Sequence, residues 1–397
     1  METATKRRAP HLSDTQRLAW LRLIRSENVG PTTFRELLNH FGSAHTALDA
    51  LPELSRRGGK KTYRLFSKDK AEAELAALYK MGARLVAMGE PAYPPLLRHI
   101  DAPPPLLAIR ARDPLQQELT GTQKTLAIIG ARNCSVAGAK FATTLAGDLS
   151  AHGFTIISGL ARGIDSAAHK AALSAGTIAA FAGGIDTIYP KENQALFSSM
   201  IAANGAAISE MPIGRNPRAR DFPRRNRLIS GMSLGVILIE AAEKSGSLHT
   251  ARYALEQNRE ILAVPGAPLD PRSVGANKLI QQGAALIQSV EDVLEVIEPT
   301  ISMSLPLHHG IDEPAKSWPA LEELETPTTL HPKNAREQDR QAIIDALSET
   351  PIDQDELLRF TGVSLQTLQL ILLEIELAGR LERHKPNKLS MIHAASS

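Results

Sequence analysis

The chain has little cysteine: one residue, Cys134, in 397. A disulfide framework within the chain and a metal site made of several cysteines are both excluded. Long apolar runs are also missing. None reaches about 18 residues, so no membrane-spanning helix is predicted. The N-terminal sequence METATKRRAPHLSD has charges with no apolar stretch behind them, unlike a secretory signal. These absences together predict a protein of the reducing cytoplasm.

A strong net charge is absent as well. The 45 basic and 43 acidic residues leave +2, so binding to nucleic acid would need a local concentration of charge. One occurs at residues 215–227, RNPRARDFPRRNR, where six arginines and one aspartate surround Phe222. Guanidiniums suit phosphate oxygens, and an aromatic ring among them suits the bases of a single strand. The alternative is a solvated loop whose arginines pair with surface carboxylates. Charge alone does not choose between these interpretations. Both predict a loop, which is followed by a short helix near residues 225–232.

Composition and periodicity divide the chain into four segments. Residues 1–82 predict a small N-terminal helical domain of the sterile-alpha-motif or helix-hairpin-helix kind, either purely structural or touching DNA through its VGP turn. Residues 83–297 predict a Rossmann-like domain. Residues 298–333 are acidic and hold six prolines, which predicts a linker. Residues 334–397 have the helix spacing and the terminal hairpin of a winged-helix domain.

From Thr125 onward, short buried strands alternate with helices. This alternation predicts an α/β fold with a doubly wound, parallel sheet. The predicted strands are 125–130, 154–159, 177–184, 205–210, 235–241, 260–266 and 284–287. In such a sheet, the loops that leave the carboxyl ends of the strands share one edge, where ligands bind.

Four loops of that kind carry glycine or polar residues: 130–135, 158–165, the arginine-rich stretch and 243–250. Their glycines let the backbone approach a ligand, and the helix N-termini behind them attract anions. Arg132 and Arg162 add positive charge. The sequence therefore predicts an anion-binding groove at this edge.

The fingerprints of common nucleotide sites are absent. No G-x-G-x-x-G follows the first strand, and no G-x-x-x-x-G-K-[ST] occurs. Asp165 and His169 lie one helical turn apart and are interpreted as a capping aspartate and a packed histidine. Cys134 lies near a helix N-terminus, which can lower a thiol pKa, but it lacks the partners of a nucleophile. No catalytic residue, metal ligand or cofactor is predicted.

Several motifs follow one another in a fixed order. They are YPPLLRHIDAPPPLL (93–107), AIIGAR (127–132), ISGLARGIDSAAH (157–169), GGIDTIYP (183–190), FPRRNRLISG (222–231), EAAEKSGSLHTA (240–251) and AVPG (263–266). The set resembles the DNA-processing protein A family, DprA, also called Smf. The resemblance implies a Rossmann-like domain that binds single-stranded DNA, loads RecA in natural transformation and displaces single-strand-binding protein. It also implies a homodimer and no catalytic turnover.

Carried over by position, the resemblance implies a set of DNA-facing residues on the predicted edge. They are Arg132, Ser158, Gly159, Arg162, Gly163, Phe222, Arg224, Arg225, Asn226, Arg227, Ser245, Gly246, Ser247 and Thr250. For Phe222, a core anchor is the alternative to base stacking. For Asn226 and Arg227, the alternative is a structural role at the start of the next helix.

Two other functions are weighed against this one. The first is a nucleotide phosphoribohydrolase on a related fold, whose PGGxGTxxE signature supplies a catalytic glutamate. The comparable place here reads EAAEKSGSLHTARYALE and lacks PGG. The second is a regulator that binds duplex DNA through the winged helix. Its would-be recognition helix, SLQTLQLILLEIELA, has no Arg or Lys and carries Glu374 and Glu376, which is unlike a major-groove reader. A protein-contact or accessory role is favoured for this domain.

Overall fold

The computed structural model describes residues 11–112, 124–304, 335–384 and 387–392. These residues form two compact units. One holds residue 11 with residues 73–304, and the other combines residues 12–72 with the C-terminal residues from 335 onward. Residues 1–10, and the predicted linker from residue 305, lie outside the described residues. The division into four segments stays a prediction.

The elements are numbered in chain order. The helices are α1 (Asp14–Arg25), α2 (Pro31–Phe41), α3 (Ala44–Arg57), α4 (Lys68–Lys80), α5 (Val136–Ala151), α6 (Ile164–Ala171), α7 (Gln194–Ala202), α8 (Asp221–Gly231), α9 (Ser247–Glu256), α10 (Val274–Gln281), α11 (Val290–Ser304), α12 (Glu337–Ala346), α13 (Gln354–Thr361) and α14 (Leu365–Leu377). The strands are β1 (Ala83–Ala87), β2 (Leu106–Ala111), β3 (Thr125–Gly130), β4 (Thr155–Ser158), β5 (Thr177–Ala180), β6 (Ala206–Ser209), β7 (Gly235–Ile239), β8 (Glu260–Ala263), β9 (Ala285–Leu286), β10 (Ile352–Asp353), β11 (Leu381–His384) and β12 (Lys388–Met391).

A nine-stranded sheet organises the first unit, in the order β1-β2-β6-β5-β4-β3-β7-β8-β9. Strands β3 to β9 pair in parallel. Strands β4 to β7 are buried along their whole length, as strands covered by helices on both faces are. The predicted doubly wound parallel sheet is confirmed. Strand β2 runs antiparallel to both β6 and β1 and adds an antiparallel pair at one edge.

The order of the sheet reverses between β3 and β7. From the centre, β3 to β6 fill one side and β7 to β9 fill the other. The carboxyl ends of the neighbours β4, β3 and β7 therefore carry their loops, 159–163, 131–135 and 240–246, to one place. This is the position at which doubly wound sheets bind ligands, and it is the predicted edge.

The arginine-rich stretch is a loop only in its first half, because the helix predicted near residues 225–232 begins four residues earlier. Helix α8 begins at Asp221, so residues 222–227 are helical. A carboxylate in the first turn favours a helix N-terminus. Pro223 is tolerated there because a first-turn N–H has no helical partner to lose.

The first seven residues of the predicted linker, 298–304, belong to a helix. Helix α11 continues to Ser304 and contains Pro299. Residues 298–304 are therefore helical rather than an extended connection, since the apolar pattern of α11 runs past the proline.

The second unit contains both end segments of the described chain. Helix α1 begins after its N-cap residue, Ser13, whose Oγ accepts the N–H of Gln16 at 3.2 Å. The C-terminal part has helices α12 to α14 and the three-stranded sheet β10-β12-β11. The N-terminal helical domain and the winged-helix domain are both confirmed. Of the helices described, none is by itself long and apolar enough to cross a membrane; α13 and α14 pass only as a pair bent by 116°.

Candidate nucleic-acid interface

Two adjoining cavities open at the reversal point of the sheet; together they are called the switch-point cleft. The larger has a volume of about 460 Å³ and the smaller about 260 Å³. Both are lined by the loop after β3, by α8 and by the start of the loop before α6. The residues shared by the two linings are Arg132, Asn133, Ala161, Phe222 and Arg225. The larger cavity also contains the first turn of α9 and Lys244.

Most of the predicted DNA-facing residues line this cleft. They are Arg132, Gly159, Arg162, Phe222, Arg225, Asn226, Ser245, Gly246, Ser247 and Thr250. Four predicted residues line neither cavity: Ser158, Gly163, Arg224 and Arg227. Ser158 is fully buried, and its hydroxyl donates to the carbonyl of Ile128 at 2.6 Å. Gly163 has φ +75°, and a Cβ there would overlap the carbonyl oxygen of Ala131. Both residues shape the loop backbone.

A buried guanidinium braces the cleft from inside. Arg225 is 6% exposed, and its Nη1 donates to the carbonyl oxygens of Gly159 and Ala180 at 2.7 and 2.5 Å. The carboxylate of Asp165 accepts the N–H groups of Gly159 and Ala161 at 3.0 and 3.2 Å. Arg225 thus holds the loop after β4 by the carbonyl of Gly159. Asp165 holds the same loop by the N–H groups of Gly159 and Ala161.

Burial shifts the titration of this pair. It lowers the pKa of Arg225 to about 10, which leaves the guanidinium charged at neutral pH. It also raises the pKa of Asp165, and the charge of Arg225 opposes that rise. His169, on the same helix as Asp165, is fully buried, bonds Thr177 at 2.8 Å and has its pKa lowered by burial to about 3. The packed histidine is confirmed, but the capping aspartate was wrong. The N-cap of α6 is Gly163, and the carboxylate of Asp165, inside the first turn, bonds N–H groups of the preceding loop.

Gly159 is a place where a side chain would disturb this brace. A Cβ at Gly159 would lie 2.6–2.8 Å from the guanidinium of Arg225, which is anchored by two hydrogen bonds. We expect Gly159→Ala to lower the free energy of unfolding by about 1–3 kcal/mol, the usual cost of overpacking. Urea denaturation measures it. Gly147→Ala is the matched control, because that glycine lies within α5 and a Cβ there meets no atom within 4 Å. Equal stability of both variants would contradict the brace.

Three arginines of the arginine-rich stretch are ion-paired. Arg224 Nε donates to the buried carboxylate of Glu210 at 2.9 Å, and Arg227 pairs with the same carboxylate. Arg215 pairs with Asp221 at 2.9 Å. Burial acts to raise the pKa of Asp221, but hydrogen bonds from the backbone N–H of Arg218 and from the Arg215 guanidinium outweigh it and lower that pKa. These pairs tie α8 to the end of β6.

The cations that face the cleft are differently placed. Arg132 and Lys244 are exposed, and within the described ranges neither forms an ion pair. Arg162 pairs with Glu192 across the surface, with both side chains more than half exposed, and such a pair is weak. At the far side, the hydroxyls of Ser245 and Ser247 bond each other at 2.7 Å at the start of α9. The N–H groups of Ser247, Leu248 and His249 already donate to protein oxygens, so this end of the cleft offers the two hydroxyls and the positive end of the helix dipole to an anion.

Two aromatic rings stand at the smaller cavity. The rings of Phe222 and Tyr189 meet edge to face with centroids 5.5 Å apart, and Tyr189 is 50% exposed. The guanidinium of Arg132 lies 5.5 Å from the Phe222 centroid. Sequence reasoning missed Tyr189, although it lies inside the motif at 183–190. It also missed Lys244, which adjoins the predicted Ser245.

The surroundings of Cys134 do not favour a catalytic role for its thiol. Burial, and then the charge of Glu240, raise the pKa of this thiol, so the lowered pKa considered from the sequence was wrong. The proximity of a helix N-terminus is outweighed by the neighbouring carboxylate. Among the residues the structure describes, no three His, Cys, Asp or Glu side chains group closely enough to hold a metal ion.

A doubly wound α/β sheet with a cationic, aromatic-bearing cleft at its reversal point defines a Rossmann-like protein whose candidate site suits an anion. The family described as DNA recombination-mediator protein A matches residues 84–298, the DprA-like N-terminal helix-hairpin-helix domain matches 14–77, and the DprA winged-helix domain matches 326–385. The chain belongs to this family, DprA, also called Smf, and the sequence resemblance is confirmed.

Individual relatives agree with this assignment. Protein Smf of Escherichia coli K12 is 36% identical over 318 residues, which cover 79% of each chain. DNA processing protein DprA of Bacillus subtilis is 41% identical over 223 residues, covering 56% of this chain and 73% of the relative. The X-ray structure of DprA from Streptococcus pneumoniae is similar with a TM-score of 0.50 and 36% identity, covering 57% of this chain and 80% of that one.

Proposed function

We propose that the chain binds single-stranded DNA in the switch-point cleft. The observation that carries the proposal is the Phe222–Tyr189 ring pair beside the exposed guanidinium of Arg132. Stacking rings accept any unpaired base, and adjacent cations follow the phosphates. A duplex hides the base faces from such rings. DNA is proposed as the nucleic acid because the relatives are named DNA processing proteins.

We assign the cleft residues different tasks. Arg132, Arg162 and Lys244 contact phosphates, since they are exposed and reach the cavities. The hydroxyls of Ser245 and Ser247, together with the positive end of the α9 dipole, receive a further phosphate. Phe222 stacks a base. The sequence also predicts contacts to DNA for Arg224, Arg225 and Arg227, and those contacts stay a prediction. In this structure, the guanidiniums of all three donate to protein atoms. We propose that these three mainly hold α8 in place.

The wider role follows from the family. We propose that the bound strand is protected and passed to RecA during transformation or recombination, with displacement of single-strand-binding protein, and that the chain acts as a homodimer. We also propose that it does so without catalytic turnover. The reactive groups at the cleft agree with this: the thiol of Cys134 has a raised pKa, and the carboxylate of Asp165 is bonded to two backbone N–H groups.

Substitution of Tyr189 tests the proposal. We expect wild type to bind a fluorescent dT oligonucleotide more tightly than a duplex of equal length, and Tyr189→Ala to lose about tenfold in affinity, the loss of one stacked base. The dependence on salt should stay unchanged, since no charge is removed. Fluorescence anisotropy over a salt series measures both quantities.

The control is Tyr79→Ala. Tyr79 is 68% exposed and packs under Arg84, and it lines neither cavity. The control should bind like wild type. If wild type binds duplex as tightly as single strands, the proposed function is wrong. If wild type prefers single strands but Tyr189→Ala binds them with the same affinity, the Tyr189 ring has no stacking role.

A further inference from the structure

Helix α14 is the recognition helix by position in the winged-helix domain. In DNA-binding proteins of helix-turn-helix type, this helix lies in the major groove and offers side chains to base edges. Here it is buried over most of its circumference. Its buried residues are Leu368, Leu370, Ile371, Leu372, Leu373, Glu374, Ile375 and Leu377. A helix covered in this way has little surface left for DNA.

The N-terminal helical segment supplies part of the cover. The side-chain amide of Asn28 donates to the carbonyl of Leu377 at 3.0 Å, and the hydroxyl of Thr33 donates to the carboxylate of Glu376 at 3.0 Å. At the end of α3, Gly58 touches α14 so closely that a Cβ there would overlap the carbonyl oxygen of Glu374. These contacts join the two ends of the described chain within one compact unit.

Charged groups complete the contact. Glu374 is 0% exposed; its Oε2 accepts from Arg340 at 3.0 Å, and its Oε1 lies 3.8 Å from the guanidinium of Arg57 in α3. A buried carboxylate is tolerated only with such partners. On the wing, Arg383 bridges Glu376 at 2.8 Å and Glu36 of α2 at 2.9 Å. Glu374 of the helix and Arg383 of the wing therefore each have a charged partner in the N-terminal segment.

The residues of α14 best able to read bases also face α2. Gln366 and Gln369 carry amides of the kind that bind adenine. They line a small cleft of about 90 Å³ whose opposite wall is formed by Glu36, Asn39 and His40. A duplex approaching these amides would meet helix α2 and the carboxylate of Glu36.

We infer that α14 is a protein-contact helix whose partner is the N-terminal helical segment of the same chain. The winged-helix domain binds α2 and α3 through the surface that would otherwise read DNA, and it does not bind duplex DNA in the intact protein. The chemistry agrees, since α14 has no lysine or arginine and its acidic side chains find arginine or hydroxyl partners. This inference is independent of single-strand binding in the switch-point cleft.

Cleavage of the full chain tests the contact. A site for a specific protease is introduced between residues 316 and 322, and the purified protein is cut there. Gel filtration at micromolar concentration then measures whether the C-terminal fragment elutes together with the rest of the chain. We expect it to stay. Glu36→Arg or Arg383→Glu alone should weaken its retention at least tenfold, since each places like charges together. The charge-swapped double variant should restore it, which a folding defect would not.

Two results would overturn the inference. One is release of the fragment from the cut protein that carries no charge change. The other concerns duplex DNA: Gln366→Ala with Gln369→Ala in the full chain should leave duplex affinity unchanged within twofold. A clear loss would mean that α14 reads DNA.

Discussion

Replacing both Arg132 and Lys244 by alanine is expected to weaken binding to single-stranded DNA about 25-fold at roughly 0.1 M salt, because each phosphate contact releases about 0.7 counterion. The same release predicts that the slope of log affinity against log salt concentration becomes shallower by about 1.4. Both side chains are exposed at the larger cavity, and neither forms an ion pair with any residue in the described parts of the chain. Their removal therefore disturbs little of the fold. Fluorescence anisotropy with a labelled oligonucleotide measures affinity and slope together.

A matched pair of lysines provides the control. Lys170 and Lys278 are exposed and lie in the last turns of α6 and α10. In a doubly wound sheet the helices run away from the carboxyl edge, so these turns lie at the opposite edge. Alanine at both positions removes the same charge and should leave affinity within about twofold of wild type. An equal loss in the control would indicate that net charge, and not the switch-point cleft, governs binding.

The second large effect is on stability. Arg225→Ala is expected to lower the free energy of unfolding by about 3–5 kcal/mol, the cost of leaving a buried charge without its partner. The guanidinium donates hydrogen bonds to the carbonyls of Gly159 and Ala180, and its charge stabilises the carboxylate of Asp165. These three groups lose their partner in the variant. For a domain of this size, the loss corresponds to a fall in Tm of about 6–20 °C. Differential scanning calorimetry measures it.

Arg252→Ala is the reference variant for Arg225. Its side chain is 75% exposed and pairs with Glu256 one turn away, so Tm should stay within about 2 °C of wild type. If Arg225→Ala unfolds at the wild-type temperature but binds DNA poorly, Arg225 contacts the ligand directly and is not a brace. A double alanine variant at Arg224 and Arg225 cannot make this distinction, because it removes two arginines that bond protein atoms.

The parallel sheet and its ligand-binding edge could be predicted because both depend on local pattern. Strand β3 and the helix after it are short runs with clear apolar spacing, and their alternation with later runs fixes the topology. The sequence also predicts helix α8, near residues 225–232, but its start at Asp221 could not be recognised in the same way. Six arginines and two prolines within 215–227 outweigh a weak apolar pattern, and only Leu228 and Ile229 anchor it.

That one error in secondary structure changed the interpretation of the site. In a loop, all arginines can point to one ligand; in a helix, the period of 3.6 residues divides them. Phe222, Arg225 and Asn226 line the cleft, whereas Arg224 and Arg227 turn to Glu210. The pairing of Arg225 with a loop some sixty residues earlier, like the meeting of Tyr189 with Phe222, is a tertiary contact that spacing in the sequence does not contain.

The two borders of the central sheet have a bearing on self-association. One border is β9, only two residues long, and the other is β1, which is five residues long and largely buried. Neither of these described borders offers a long, exposed ladder of N–H and C=O groups on which a second molecule could extend the sheet. Substitutions that test self-association should therefore be placed first on side chains of the helices and loops around this sheet, and not along its two borders.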